Sequence, residues 1–183
     1  MMPPSATAYR MTAGEFFQLP GGPPYFQLID GDLYMSPSPR RYHQHLSMRL
    51  SLLLGNYVET HDAGELYAAP SDVVLGPDTV LEPDLYFVSR ARSGILTAQG
   101  AEGAPDLVIE ILSPSTASMD LGRKREIYAA SGVREMWVFA PETRTVEIYR
   151  FAENVDRILR DGDTIETPIL PGFSSRVADV FRD

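Results

Sequence analysis

The spacing of apolar residues changes several times along the chain and separates predicted helices from predicted strands. Between residues 42 and 57, Leu46, Leu50, Leu53 and Leu54 recur at steps of three or four, which predicts a long helix buried on one face. Shorter apolar or alternating runs between turn residues predict strands. These strands cover residues 25–29, 32–36, 65–69, 72–75, 84–88, 107–112, 135–140, 145–151, 155–160 and 164–166.

Capping and turn residues mark the amino-terminal elements. Thr12 and Glu15 have the spacing of a capping box and predict a short helix over 12–19, within an amino-terminal arm of residues 1–24. Asp30-Gly31 is a strong hairpin signal and links the first two predicted strands. The chain therefore starts with a helical arm followed by a β-hairpin.

The second half of the chain adds helices to the strands. We expect residues 93–104 to form a connection, a helix over 119–131 to end at Gly132, and a short helix to lie near 174–181. Residues 107–112 are apolar on both faces apart from one glutamate, as in a central strand covered on both sides. This order of elements predicts a single α/β domain over 1–183, with helices packed on a mixed sheet.

Composition narrows the possible classes of protein. The chain has 183 residues, of which 44% are hydrophobic, and this is enough for one sizeable core. It contains no cysteine, so that a metal would be held by oxygen or imidazole. Because no run could span a bilayer and no signal peptide is recognisable, a cytoplasmic protein without membrane contact is predicted. The net charge of −9 argues against a broad nucleic-acid surface but allows a local basic cleft.

Two carboxylates occupy unusual positions in the predicted strands. Glu110 lies within an apolar run, where an unpaired charge is costly, so that it must be paired, protonated, exposed at an edge or bound to a cation. Asp84 follows Pro83 at the start of another strand. If these strands are neighbours, the two carboxylates could share a Mg²⁺ or Mn²⁺ ion.

A specific set of segments is distributed over about residues 12–180. It consists of residues 27–33, His43-Gln44, 82–84, 105–116, Lys124, Tyr128, Gly132-Val133 and Trp137. Together these segments resemble the Uma-two restriction endonuclease family, within the PD-(D/E)xK nuclease superfamily. The resemblance implies a restriction-endonuclease-like core, a mixed sheet flanked by helices, with an added amino-terminal hairpin and carboxyl-terminal strands. It also implies Mg²⁺-dependent hydrolysis of phosphodiester bonds.

The resemblance assigns site residues by position. Asp84 and Glu110 match the acidic residues of the two family motifs and would bind the metal, together with the backbone carbonyl of Ile111. Leu112 stands where the superfamily usually has lysine. Lys124, on the following helix, matches the position from which related sequences supply that lysine.

Further residues are expected to support this site. Gln27 replaces a residue that is often acidic in the family, and could bind through its amide oxygen or hold a water molecule. His43 is expected to support the ligands or contact phosphate. Arg123 and Arg125 are candidate phosphate contacts, although a charged helix face most often points to solvent.

Other polar and aromatic residues have simpler structural interpretations. Asp106 is expected to be a strand-start residue with at most a supporting role, and His45 and His61 to lie on the surface. Tyr128 and Trp137 are expected to be core or interface aromatics. Ser113 and Ser115 lack the surroundings of a nucleophilic serine and are expected to cap the next helix.

Three functions are compatible with these features. The first is a metal-dependent endonuclease acting on DNA. The second is an inactive interaction protein that kept the fold, and the third is a metal-dependent hydrolase of small phosphoesters. A homodimer or a higher homo-oligomer is also expected, because strands 135–151 are predicted to expose apolar side chains and the sheet to have open edges.

Overall fold

The computed structural model describes residues 9–36, 38–114 and 117–182, without the side chains of Ser118 and Asp120. Ser115 and the first eight residues of the arm lie outside these ranges. The strands are β1 (Phe26–Ile29), β2 (Asp32–Met35), β3 (Gly64–Ala68), β4 (Asp72–Gly76), β5 (Thr79–Leu81), β6 (Leu85–Ser89), β7 (Gly100–Glu102), β8 (Leu107–Ile111), β9 (Glu135–Ala140), β10 (Thr145–Arg150), β11 (Val155–Leu159), β12 (Thr164–Glu166) and β13 (Ser174–Arg176).

The helices are fewer and are grouped around the strands. They are α1 (Ala13–Phe16), α2 (Arg41–Thr60), α3 (Ala117–Met119), α4 (Arg125–Ser131) and α5 (Val177–Val180). A π-helical turn over Asp120–Lys124 joins α3 to α4, and 3₁₀ turns cover Arg90–Ile95 and Phe151–Glu153. Among the described residues, no helix is long and apolar enough to cross a membrane.

A six-stranded sheet forms the centre of the molecule, in the order β11-β10-β9-β8-β6-β3. Strands β8 and β9 pair in parallel, whereas the other neighbours are antiparallel. All five residues of β8 are buried. The central position and mixed pairing agree with the fold class predicted from the sequence.

Two apolar cores lie on opposite faces of this sheet. On one face, α2 packs the four buried residues Leu46, Leu50, Leu54 and Val58 against alternate strand residues such as Phe87. The other face buries Tyr86 and Val108 with α4 and with the second sheet. Because strand side chains alternate between faces, Glu110 lies on the same face as Val108 and points toward α4.

The second sheet has five strands in the order β2-β1-β5-β4-β7. Its hairpin turns at Asp30 and Gly31, whose φ angles of 51° and 81° are those of the predicted tight turn. Strand β7 was predicted as part of a connection. Gly100 brings its backbone against Asp72, where a β-carbon would lie 2.0 Å from the Asp72 carbonyl oxygen, so that a side chain is excluded there.

Several predicted elements differ from the structure. Strand β5 was missed because it has only three residues. The helix predicted near 174–181 is confined to α5, since Ser174–Arg176 pairs with β12 as a strand. The amino-terminal helix keeps the predicted Thr12–Glu15 capping box but spans only Ala13–Phe16.

One of the two reasons given for a homodimer, apolar side chains exposed on strands 135–151, is wrong, although the homodimer itself stays a prediction. Strands β9 and β10 lie inside the sheet, because β11 covers the outer edge of β10. Met136, Trp137, Val138 and Phe139 are fully buried. The exposed edges of the central sheet are instead β3 and β11.

Candidate active site

The pairing of β6 with β8 places two carboxylates opposite each other. Leu85 pairs with Ile109 and Tyr86 with Val108, so that the same register places Asp84 opposite Glu110. Directly opposed side chains of antiparallel strands have β-carbons about 5 Å apart on the same face. The structure thus brings together the two acidic residues that the sequence singled out.

Glu110 is buried and receives two hydrogen bonds from the helix that follows β8. Its Oε1 atom lies 3.0 Å from Lys124 Nζ and 2.7 Å from the Tyr128 hydroxyl. The side chains of Lys124 and Glu110 are only 5% and 3% exposed, so that water screens this ion pair little. The alternative of an edge-exposed Glu110 is excluded.

The π-helical turn over Asp120–Lys124 ends at the lysine. One π turn within an α-helix shifts the phase of the residues that follow, and such turns are frequent at functional sites. Lys124 and Tyr128 are four residues apart and therefore share one helix face. This face turns toward Glu110 and brings both polar side chains into a buried position.

Lys124 is also unusual in the composition of the chain. It is the only lysine among the 16 Lys and Arg residues. Lysine has a compact ammonium group on a flexible stem, whereas arginine has a planar guanidinium group that suits paired contacts with carboxylates. The single lysine therefore lies at the position where a small, movable cation contacts a buried carboxylate.

Asp84 is fixed by groups from two other elements. Its Oδ2 atom accepts a hydrogen bond from the Ile111 backbone N–H at 2.7 Å. His43 Nε2, in the first turn of α2, lies 3.2 Å from Asp84 Oδ1. The Ile111 N–H and the His43 side chain are thus both in contact with Asp84, and the Ile111 carbonyl as a metal ligand stays a prediction.

Gln27 connects the second sheet to the same region. Its amide oxygen accepts a hydrogen bond from the Glu82 backbone N–H at 3.1 Å, and its amide nitrogen donates to Ser36 Oγ at 3.2 Å. An amide can make both bonds, whereas a carboxylate at this position could not donate to Ser36. Gln27 therefore positions the segment that carries Glu82 and Asp84.

Glu82 is an additional acidic group that the sequence analysis did not assign to the site. Burial raises the pKa of its carboxyl group to about 7, and the Asp72 and Asp84 carboxylates add to the increase while Lys124 opposes it. Glu82 also lies two residues before Asp84. Because alternate residues of an extended segment point to the same face, this spacing could have predicted that the two carboxylates lie together. The site thus contains a carboxyl group that titrates near neutral pH.

These residues surround an open cavity of about 160 Å³. The amino-terminal end of α2 forms one wall through residues 38–40, His43, Gln44 and Ser47. Unpaired backbone N–H groups at a helix amino terminus attract anions. Arg40, which the sequence analysis did not propose, adds a positive charge at this wall.

The donor set fits Mg²⁺ or Mn²⁺ better than a metal that needs a closed protein cage. Among residues 9–36, 38–114 and 117–182, no group of three or more His, Asp or Glu side chains forms a metal cage. Mg²⁺ is usually bound by one or two carboxylates and completes its coordination with water and substrate phosphate. Asp84 and Glu110, on the wall of one open cavity, meet this requirement.

A comparison with known families decides the relationship of the chain. The profile of the Uma2 (Uma-two) family, described as "Putative restriction endonuclease", matches residues 13–178. The chain belongs to the Uma2 family. This confirms the resemblance inferred from the sequence motifs.

Two relatives support this assignment. The Uma2 chain is 29% identical over 133 residues to the uncharacterised protein slr1290 of Synechocystis sp., covering 71% of this chain and 67% of the relative. It also matches a crystal structure from Anabaena variabilis, described as a "putative nuclease", with a TM-score of 0.81 and 20% sequence identity. The superposition covers 93% of this chain and 97% of the other, and it confirms the nuclease-like fold.

The two arginines proposed as phosphate contacts are directed elsewhere in this Uma2 protein. Arg123 pairs with Asp30 and with Glu126, and the guanidinium group of Arg125 lies 5.0 Å from the centre of the Tyr149 ring. Neither arginine lines the cavity of the carboxylates. Sequence proximity to Lys124 was misleading because successive helix residues point in different directions.

Other residues fall into structural roles. Asp106 is fully buried against Arg92 and Arg134, and Trp137 donates to Glu135 within the core. His61 is exposed, as expected, but His45 is half-buried and its Nε2 atom has no hydrogen-bond partner among the described residues. Ser113 lines the cavity, and its backbone carbonyl accepts a hydrogen bond from Ala117 N–H.

Tyr128 is buried, as predicted, but its hydroxyl group also donates a hydrogen bond to Glu110, which the sequence did not predict. This hydrogen bond can be tested by mutation. Replacing Tyr128 by phenylalanine removes the hydrogen bond to Glu110 and keeps the buried ring. Loss of a group that orients a metal ligand typically lowers activity or metal affinity by about 10–100-fold. We expect a loss of this size in Mg²⁺-dependent cleavage for Tyr128→Phe.

The metal concentration required for half-maximal cleavage separates this role from a general loss of folding. In Tyr128→Phe it should rise when cleavage is measured well below the melting temperature, which the loss of a buried hydrogen bond to a carboxylate is itself expected to lower. Tyr149→Phe, which removes a hydroxyl bonded to Glu147 outside the cavity, is the matched control. Equal metal dependence in wild type and Tyr128→Phe would contradict the positioning role.

Proposed function

We propose that this protein is a Mg²⁺-dependent endonuclease that hydrolyses phosphodiester bonds of DNA. The observation that carries the proposal is the buried pair of Lys124 and Glu110, placed beside Asp84 on the wall of one open cavity. Burying charged groups is costly, and such costs are frequent at functional sites. Membership in the Uma2 family supports the same conclusion.

The metal would be held by the Asp84 and Glu110 carboxylates and by the backbone carbonyl of Ile111. Mn²⁺ could replace Mg²⁺ with these oxygen donors. The bound ion would offset negative charge on the phosphoryl group and make hydroxide available at a lower pH. The protein's part is to hold both carboxylates in the correct orientation, through the Ile111 N–H for Asp84 and through Lys124 and Tyr128 for Glu110.

Lys124 would act on the reacting atoms directly. When water attacks phosphorus and the bond to the leaving oxygen breaks, negative charge increases on the phosphoryl oxygens and on the leaving group. An ammonium group fixed beside them stabilises this charge without reorganisation. Lys124 would therefore orient the attacking water and neutralise developing charge, while it remains bonded to Glu110.

The wall formed by the start of α2 would bind the phosphate groups of the substrate. Arg40 and the amino-terminal end of α2 make this wall electropositive, and His43 could donate a hydrogen bond there. This local charge is compatible with the net charge of −9, because only a few phosphates need to contact the protein. A DNA substrate would thus be bound at one cleft and not over a broad surface.

The test is cleavage of duplex, single-stranded and branched DNA and of bis(p-nitrophenyl) phosphate, with Mg²⁺, Mn²⁺ or EDTA. We expect DNA cleavage with either metal, none with EDTA, and loss of at least about 100-fold in Asp84→Ala and Lys124→Ala. Asp156→Ala, an exposed aspartate on β11, is the control. Cleavage of the small diester alone would favour the phosphoesterase alternative, and no cleavage of any substrate would favour the inactive interaction protein.

A further inference from the structure

A second cavity lies directly beside the proposed catalytic one. It has a volume of about 270 Å³ and is formed by residues 16–26 of the amino-terminal segment, together with Pro70, Asp72 and Glu82. Glu82 lines both cavities. In addition, Ala69 and Gln27 of the catalytic cavity are the sequence neighbours of Pro70 and Phe26, respectively, which line the second cavity. The two cavities therefore share one side chain and adjoin each other along two further segments of the chain.

The chemistry of the second cavity is different from that of the first. Its described lining includes the aromatic residues Phe17, Tyr25 and Phe26 and the carboxylates of Asp72 and Glu82, but no Lys, Arg or His. A phosphate group would be repelled by the two carboxylates. A suitable ligand has flat apolar faces and hydrogen-bond donors at its edge.

We propose that this cavity binds a nucleobase with an exocyclic amino group, while the phosphate attached to the same sugar occupies the catalytic cavity. Aromatic side chains stack on bases, and carboxylates accept hydrogen bonds from base amino groups such as the N4 group of cytosine. Thymine has no such amino group. The proposal rests on the proposed nuclease function, since it defines where the substrate's base lies.

The geometry also defines the form of the nucleic acid. The cavity is open on one side, but a base stacked on its aromatic side chains cannot at the same time stay stacked between its neighbours in a duplex. Such a base therefore belongs to a single strand or to an extruded nucleotide. Loops, ends and mismatched positions release a base at lower cost than a paired position. Single-stranded or unpaired sites are therefore preferred over intact duplex DNA.

Tyr25 provides the most direct variant. Its side chain is 42% exposed, so that its removal has little effect on the core. Base stacking on an aromatic side chain corresponds to about tenfold or more in affinity. Tyr25→Ala should lose this factor, whereas Tyr25→Phe keeps the ring and should retain it. Tyr34→Ala, at a tyrosine that is 40% exposed and lines neither cavity, is the matched control.

The experiment measures binding of 2-deoxyribose 5-phosphate and of the 5′-monophosphates of deoxycytidine, deoxyadenosine and thymidine, in the presence of Mg²⁺. These probes contain no phosphodiester bond, so that the active protein can be titrated by nuclear magnetic resonance. We expect the cytosine and adenine nucleotides to bind about tenfold more tightly than the abasic sugar phosphate. Asp72→Asn should reduce the preference of cytosine over thymine.

Three results would overturn the proposal: equal affinity of wild type for nucleotides and abasic sugar phosphate, an unchanged preference of Tyr25→Ala for nucleotides over the abasic sugar phosphate, or no saturable binding. Its failure is distinguishable from failure of the nuclease function. DNA cleavage that depends on Asp84, without base preference, removes only the base site. Base preference without any DNA cleavage removes the nuclease function and leaves a nucleotide-binding cavity.

Discussion

Replacing Glu110 by glutamine is expected to abolish DNA cleavage and to destabilise the protein. The substitution removes a proposed metal ligand, and a bound metal would supply several kcal/mol of transition-state stabilisation, so that a loss of about 1,000-fold or more is expected. It also leaves Lys124, which is 4% exposed, without its buried carboxylate. Breaking a buried ion pair from one side costs about 3–5 kcal/mol in the free energy of unfolding.

A second substitution separates the two effects. Lys124→Met in the Glu110→Gln background removes the buried ammonium group and keeps an unbranched apolar side chain. Replacing both members of a buried pair is often nearly neutral for stability. The double variant should therefore regain most of the lost stability and remain inactive, since both proposed catalytic groups are absent.

Urea unfolding of wild type, both single variants and the double variant gives this cycle directly. The coupling energy between positions 110 and 124 should be favourable by more than about 1 kcal/mol. Cleavage is measured on the same preparations. Additive stability effects, or an active Glu110→Gln variant, would contradict the assigned pair.

The second large effect is expected at Asp106, which stabilises the fold away from the cavity. Its fully buried carboxylate accepts a hydrogen bond from Ser89 N–H at 2.8 Å and lies 3.2 Å from both Arg92 and Arg134. In Asp106→Asn the amide nitrogen cannot accept these bonds. Because both arginines are partly exposed, we expect a loss of about 2–3 kcal/mol at neutral pH, as for hydrogen bonds to charged groups.

This loss depends on pH in a defined direction. Burial by itself would raise the pKa of Asp106, but hydrogen bonds from Ser89 and the nearby Arg134 and Arg92 outweigh it and lower the pKa. A lowered pKa in the folded state means that the carboxylate stabilises the protein above its unfolded pKa of about 3.9. This contribution disappears as the pH falls through the lower folded value.

The difference between wild type and Asp106→Asn should therefore be constant above about pH 5 and should shrink in the acid range. Unfolding free energies measured from pH 2 to 8 provide the test. Asp156→Asn, at an exposed position, should differ from wild type by less than about 0.5 kcal/mol throughout. A difference that grows as the pH falls would contradict the role of the Asp106 carboxylate.

Much of the local structure follows from the sequence. The Asp30-Gly31 turn, the capping box at Thr12 and the apolar periodicity of α2 are short-range features, and each has the predicted form. Glu110 could be recognised because a carboxylate within an apolar strand conflicts with its surroundings. Such conflicts between local pattern and burial are expected at functional positions.

The sequence by itself thus determined whether each main element is a helix or a strand, and it singled out Asp84 and Glu110 as candidate site residues. Both results depend only on neighbouring residues in the chain. Tertiary structure decided which groups meet. Strand register places Asp84 opposite Glu110, and the π turn before α4 directs Lys124 and Tyr128 inward and leaves Arg123 outside. Register and helix phase depend on long-range packing, which no short segment of the chain encodes.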